Sequence, residues 1–249
     1  MKISIITVAF NAATTIEAAL ESVAAQTHQD IEHIVIDGAS TDNTLAIIQR
    51  YRNRLAHCVS EPDQGIYDAM NKGLRLASGE IIGFLNADDI YADPQVLERV
   101  ASVMQEKDLD ALLGDTDFVS PDQPSRSLRR YRSDRFRPDR IAWGWMPAHP
   151  AMFLRKRIYD QFGLFRTDYR IAGDFELVAR MFHGDTLKYQ HMPEVLVRML
   201  TGGVSTQSWR NTLLLNREVL RACRENGIST NWPKILSKYP AKLIEFLQR

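Results

Sequence analysis

The side chains of this chain that could do chemistry are mostly carboxylates, gathered in a few places. Asp88 and Asp89 follow the short apolar run Ile81 to Leu85, after Asn86 and Ala87. Such a pair can hold Mg or Mn, which prefer oxygen ligands, and so neutralise a departing diphosphate. An Asp-Asp dipeptide at a strand end also serves as a turn or helix-capping element, and local sequence leaves both readings open. Asp174, in Ile171-Ala172-Gly173-Asp174-Phe175-Glu176-Leu177, reads locally as a carboxylate satisfying the first amides of a helix. His149, in Pro147-Ala148-His149-Pro150, suits either a metal or phosphate contact or a hydrogen-bonded structural role.

The elements that must position these groups alternate. Ile3 to Ala9 is a β-branched apolar run of the kind that forms an interior parallel strand. Thr14 and Glu17 have capping-box spacing, and Ile16, Leu20 and Val23 predict a helix over about residues 15 to 25. Ile31 to Ile36 predicts a second strand, then a polar turn from Asp37 to Asp42 and a helix through Leu45, Ile48 and Tyr51. A weak strand near 56 to 60, a helix near 67 to 77 and the strand Ile81 to Leu85 follow, with Asp93-Pro94 expected as an N-cap and N1 pair. Asn11, Asp37, Asp42 and the Asp88-Asp89 pair all follow predicted strands, where ligands of parallel α/β sheets gather. This half reads as nucleotide-binding, yet it carries no G-x-G-x-x-G fingerprint, which disfavours a dinucleotide oxidoreductase.

Regular patterning lapses between about Ser120 and Arg140, where seven arginines accumulate, and a mobile loop is expected there. Patterning returns over 145 to 155 and 171 to 183, and Trp209 to Cys223 carries a helical stripe. With 45% hydrophobic residues in 249, the chain fits one globular domain. Its 31 basic and 31 acidic residues give no overall reason to expect a nucleic-acid partner. Cys58 and Cys223 lack metal-ligand spacing and fit a reducing compartment, so a cytoplasmic location is the expectation. The apolar start stops at Asn11 with no cleavage region, and no run reaches the roughly 20 apolar residues that span a bilayer.

Taken in order, these pieces resemble glycosyltransferase family 2. The resemblance rests on Ser4 to Asn11, Ser22 with Gln26, Val35 to Asp42, Glu61-Pro62-Asp63-Gln64-Gly65, Asn71-Lys72-Gly73, Ser78-Gly79-Glu80 and Leu85-Asn86-Ala87-Asp88-Asp89. It implies an α/β fold, with a Rossmann-like, mainly parallel central sheet flanked by helices, the glycosyltransferase A-type fold. It also implies a nucleotide-sugar half over 1 to 115, an acceptor and catalytic half over 116 to 205, and C-terminal helices over 206 to 249. The implied reaction is inverting transfer of a sugar from a nucleotide diphosphate donor, UDP favoured, to an acceptor hydroxyl, with Mn or Mg as cofactor. By the same resemblance Thr7, Ala9, Asn11, Asp37, Asp63, Asn86 and Ala87 would hold the nucleotide. Asp88, Asp89 and His149 would meet the metal and diphosphate, with Asn86 in place of the first Asp of the family's D-x-D element.

Inverting transfer needs one general base, and the resemblance gives that role to Asp174 with Glu176 as competitor. Trp143 and Trp145 would offer flat faces to a sugar ring, or serve as core or lid. Gly203 and Ser205, in Leu200 to Ser205, would allow close approach to the diphosphate. The arginines of 126 to 140 would meet a diphosphate or a phosphate-bearing lipid carrier, or form a solvated face. The implied acceptor is a saccharide or lipid-linked saccharide of a bacterial surface polysaccharide pathway. The basic and apolar segment Lys234 to Arg249 would pack on its own domain or rest on the inner face of the cell membrane. Nucleotidyl transfer, or a non-catalytic nucleotide-sugar module, is the competing reading.

Overall fold

The computed structural model describes residues 1–120, 123–200 and 208–238. Its centre is a parallel array whose first strand, β1 (Ile3–Ala9), is buried at every position. β1 lies between β2 (Ile31–Asp37) and β4 (Ile81–Phe84), and β3 (His57–Ser60) adds to the far side of β2, all parallel. The connections are α1 (Ile16–Ala24), α2 (Thr44–Arg50) and α3 (Ile66–Leu76).

Burial of β1 on both faces requires its two hydroxyls to be satisfied internally. Ser4 donates to Glu32 at 2.5 Å and accepts from the Gly79 amide at 2.8 Å, while Thr7 Oγ1 lies 3.0 Å from His33 Nε2. Burial pushes the Glu32 carboxyl up, but hydrogen bonds from Lys2, Ser4 and Ser78 outweigh it and hold the group down at about 2.

Beyond β4 the sheet becomes mixed. β8 (Met152–Arg155) runs antiparallel to β4 and to β6 (Ala111–Ser120). β9 (Tyr189–Leu200) is parallel to β6, and the short β5 (Asp89–Tyr91) closes the row against β9. The strand order is β3-β2-β1-β4-β8-β6-β9-β5, with β7 (Gln123–Tyr131) paired to β6 as a hairpin. α4 (Val96–Glu106), α5 (Lys156–Phe162), α6 (Gly173–Phe182), α7 (Trp209–Glu225) and the short α8 (Trp232–Leu236) cover the sheet and its far end.

Three local expectations are corrected. The expected loop at 120 to 140 contains β7, whose exposed residues 126–130 hide the period-2 signal because polar and charged side chains are tolerated on an edge strand. Thr14 does not cap α1: the N-cap is Thr15, which makes no side-chain capping bond, while the Ala12 and Ala13 amides ahead of the helix donate to Thr44 Oγ1 and the Asp42 carboxylate of the next βα turn. Asp93 lies ahead of α4 rather than at its N-cap, accepting from the Gln95 amide and pairing with Arg99.

Candidate functional site

The carboxyl ends of β1, β2 and β3 form one ledge. Ala9 and Asp37 are register partners, as are Asp37 and Ser60. Asp37 is fully buried, and its carboxylate accepts from the Ser40 amide, the Ser40 hydroxyl and the Ser60 hydroxyl. Asn11, at φ 48°, binds across to the same turn, its amide donating to Ser40 Oγ and its Oδ1 accepting from the Thr41 amide. The ledge is thus cross-braced by polar side chains over tens of residues of sequence.

Gly38 brings Asp63 and Phe10 to this ledge. A Cβ at position 38 would collide with the Asp63 carboxylate and stand 3.4 Å from the Phe10 ring. Asp63 is tied back by the Gly65 amide, and Phe10 is 64% exposed. An exposed aromatic ring beside a carboxylate suits a flat, hydrogen-bonding base. Phe10 falls within the segment Thr7 to Asn11 that the resemblance gives to the nucleoside, and its own signal is a large aromatic just after a fully buried strand. Thr7 is buried, with its Oγ1 3.0 Å from His33 Nε2.

The end of β4 supplies the acidic step. Asn86 Nδ2 donates to Asp89 Oδ2 at 3.1 Å, and Ala87 is buried in the small core beneath the ledge. Asp88 reaches solvent, whereas Asp89 is 1% exposed in β5, opposite Met199. Burial raises both carboxyls, Asp89 well above its usual range, with the neighbouring Asp88 charge adding to it. Asp89 Oδ1 and Asn86 Oδ1 are buried without a hydrogen-bond partner. Gly203 and Ser205 lie outside the described residues.

His149 opens a 3₁₀ turn just before β8 and stacks on Phe84, the last residue of β4, at 5.4 Å between centroids. Burial lowers its pKa, so the ring is held toward neutral, and its Nε2 has no hydrogen-bond partner. Phe165 packs edge-on to both Phe84 and His149 and stacks on Tyr67 of α3. Tyr67 in turn donates to the Ile171 carbonyl at 2.6 Å and reaches Asp174 Oδ1 at 3.4 Å. This aromatic chain joins the β4 end to the start of α6.

Asp174 is the second residue of α6, not its N-cap, which is Ala172. Burial raises its carboxyl, against the favourable influence of His149, the Phe175 amide and Tyr67. The task of holding the chain at the helix entry falls to Glu218 of α7. Its carboxylate accepts from the amides of Arg170, Ile171 and Ala172 at 2.8, 2.9 and 2.8 Å. Glu218 was missed by the sequence reading; its one signal is an acid inside the buried stripe of α7, beside Val219 and Leu220. Glu176 is corrected as a competitor to Asp174: it is 1% exposed, and both its oxygens meet Arg180. Trp145 is half-buried after a turn made at Gly144, φ 73°, with its amide bonded to the Arg140 carbonyl.

Among the described residues no three His, Cys, Asp or Glu side chains close around a metal. The donor set nonetheless fits Mg or Mn of the kind held by one or two carboxylates plus substrate phosphates, because Asp88 is accessible and the same segment holds two buried oxygens, Asn86 Oδ1 and Asp89 Oδ1, without hydrogen-bond partners.

Residues 4–163 match the family model described as glycosyl transferase family 2. The chain belongs to glycosyl transferase family 2. Within the family, a "PGL/p-HBAD biosynthesis glycosyltransferase" of Mycobacterium bovis is 32% identical over 94% of this chain and 92% of its own length. Its Mycobacterium tuberculosis counterpart matches to the same extent. S. aureus TarS 1-349 in complex with UDP-GlcNAc superposes with a TM-score of 0.72 at 21% identity, over 89% of this chain and 66% of that one. Against the longer TarS chain, the match covers 40% of its length. A Pyrobaculum calidifontis mannosyltransferase in complex with GDP-Man and Mn2+ superposes at 0.63 and 17% identity, over 98% of this chain and 80% of that one. The chain is therefore a glycosyltransferase with the family's α/β fold. No helix of the described residues is long and apolar enough to cross a membrane.

Proposed function

We propose that this glycosyltransferase transfers a sugar, with inversion, from a nucleotide diphosphate donor to a hydroxyl of a lipid-linked or saccharide acceptor. The observation that carries the reading is the state of Asp174: a half-buried residue whose carboxyl pKa is raised by burial, relieved of anchoring duty by Glu218 and joined to the β4 end through Tyr67, Phe165 and His149. A base tuned upward toward working pH is what proton removal from an alcohol requires.

The nucleoside is assigned to Phe10, Asp37, Gly38 and Asp63, with Asn11 bracing the turn. Asp88 is assigned to the diphosphate through Mn or Mg, with Asp89 and Asn86 behind it and His149 at its edge. A bound divalent ion would supply positive charge to the leaving diphosphate. Asp174 takes the acceptor O–H proton as that oxygen bonds to the anomeric carbon, and the carbon–diphosphate bond breaks with its electron pair leaving on the nucleotide. UDP is the favoured donor nucleotide, a choice supported by the TarS complex, while the mycobacterial relatives' names support a glycolipid acceptor. The cytoplasm, at the inner membrane face, is the proposed location.

The test is nucleotide release from a panel of UDP, GDP, CMP and dTDP sugars, with Mn, with Mg and with chelator. One donor is expected to turn over in a metal-dependent way, and Asp88→Ala is expected to lower that rate about a hundredfold or more. Metal-independent turnover, or full activity in the variant, would remove Asp88 from this role.

A further inference from the structure

The neutral net charge conceals a division. Residues 1–115 carry 8 Lys and Arg against 18 Asp and Glu, whereas residues 116–249 carry 23 against 13. A chain with this split behaves as a dipole whose acceptor half is strongly positive. The exposed apolar side chains follow the same division. Of the eight large hydrophobic residues exposed among the described residues, only Phe10 and Ile66 belong to the acidic half. The others are Leu128, Trp143, Trp209, Leu213, Trp232 and Leu236.

These residues belong to segments that are joined to each other. Tyr131, at the end of β7, donates to the Met146 carbonyl at 2.8 Å, just past the 3₁₀ turn Pro138–Trp143. Thr230 donates to the Ala142 carbonyl at 2.5 Å, and Lys234 of α8 lies over the Trp143 ring at 5.6 Å. A Cβ on Gly144 would stand 3.3 Å from Lys238, just past α8, and 3.5 Å from Val219 of α7, so both segments meet the 138–143 turn at Gly144. Along α7, Trp209, Leu213 and Arg217 recur every four residues on one exposed face. β7 carries Arg126, Leu128 and Arg129, all exposed, with Arg126 and Leu128 two residues apart along the strand.

We infer that this corner, built from β7, the 138–143 turn, α7 and α8, docks the enzyme on an anionic lipid bilayer. Exposed tryptophans and leucines interleaved with arginine and lysine match such a surface: indole rings settle at headgroup level and guanidinium groups meet lipid phosphates. Neither component suffices alone, since scattered exposed apolar side chains are ordinary and basic faces are often only solvated. Here they coincide in one half while the other half is acidic and would be repelled, which orients the docked protein with its acceptor half toward the membrane. The inference deepens the proposed function, on which the purpose of docking rests.

The test is flotation of the full chain with vesicles of phosphatidylcholine alone and of phosphatidylcholine mixed with phosphatidylglycerol, at low and high salt. Flotation is expected with the anionic vesicles only, weakening as salt rises. Arg126→Glu with Arg129→Glu, and separately Trp232→Ala with Leu236→Ala, are each expected to lower partitioning roughly tenfold or more. Nucleotide release with a water-soluble acceptor should be unchanged in the Trp232→Ala, Leu236→Ala pair. No flotation, equal flotation on neutral vesicles, undiminished flotation of both variants, or retention of RNA in place of vesicles would overturn the inference. Failure of glycosyl transfer in the wild type with intact flotation would instead strike at the proposed reaction.

Discussion

The ledge at the ends of β1 to β3 and the step where β4 meets α6 are built on opposite principles. On the ledge every assigned carboxylate has partners: Asp37 is saturated by Ser40 and Ser60, Asp63 is held by the Gly65 amide, and Asn11 is braced by Ser40 and Thr41. At the step, Asp89 Oδ1, Asn86 Oδ1 and His149 Nε2 are buried with no partner, and burial raises the carboxyls of Asp88, Asp89 and Asp174. Unpaired buried polar atoms cost stability, and among the described residues they occur at the step and at positions such as Tyr91, Thr116 and Asp117, but not on the ledge. On the proposed function, the ledge is pre-formed and the step is where binding energy would be gained.

The contrast can be broken first at the floor of the ledge. Glu32 joins Lys2, Ser4 and Ser78 beneath β1 and β4, and its carboxyl is held at about 2 against an ordinary 4.5. Because the folded value is depressed, the stabilisation is fully present above pH 4.5 and disappears as pH falls toward 2. Glu32→Gln is expected to cost roughly 3 kcal/mol at neutral pH. Urea unfolding at pH 7 and near pH 3 should show the gap between variant and wild type narrowing in acid. A gap that does not change with pH would mean the charge plays no part.

A smaller effect sharpens the other side. Glu218→Gln removes the charge that gathers three amides at the entry to α6 while keeping the shape of the side chain. It is expected to lower kcat about tenfold through displacement of Asp174, leaving the donor KM unchanged. A parallel loss of donor binding would place Glu218 in general stability instead. Glu218→Asp, one methylene shorter with the charge retained, should recover part of the rate.

Much of the ledge was legible because interior parallel strands read as continuous apolar runs, and each of the first four ended in a polar cluster. Val35 to Asp42 and Ile81 to Asp89 announce both strand and site in a single stretch. What stayed hidden depended on partners distant in sequence. Glu218 serves amides 46 to 48 residues away, and the Ala12 and Ala13 amides are satisfied from residues 42 and 44. No local pattern encodes such pairings. β7 was hidden for a different reason: an edge strand paired on one side needs no apolar face, so its arginines read as a loop. Glu176 misled because its register, one turn before Arg180, places an ion pair where the spacing to Asp174 suggested a second acid.

The central claim is that the acid of α6, and not the ledge, performs the chemistry. It is tested most directly by Asp174→Asn, followed by calorimetric nucleotide binding and by turnover as a function of pH. The account predicts donor-nucleotide binding within about twofold of wild type and a rate reduced by 10² to 10⁴, roughly the contribution of a general base. It also predicts that wild-type turnover rises with pH through a limb above the usual carboxylate range, because burial raises the Asp174 carboxyl, and that this limb is absent from the variant. Turnover near the wild-type level with the same limb in Asp174→Asn would contradict it.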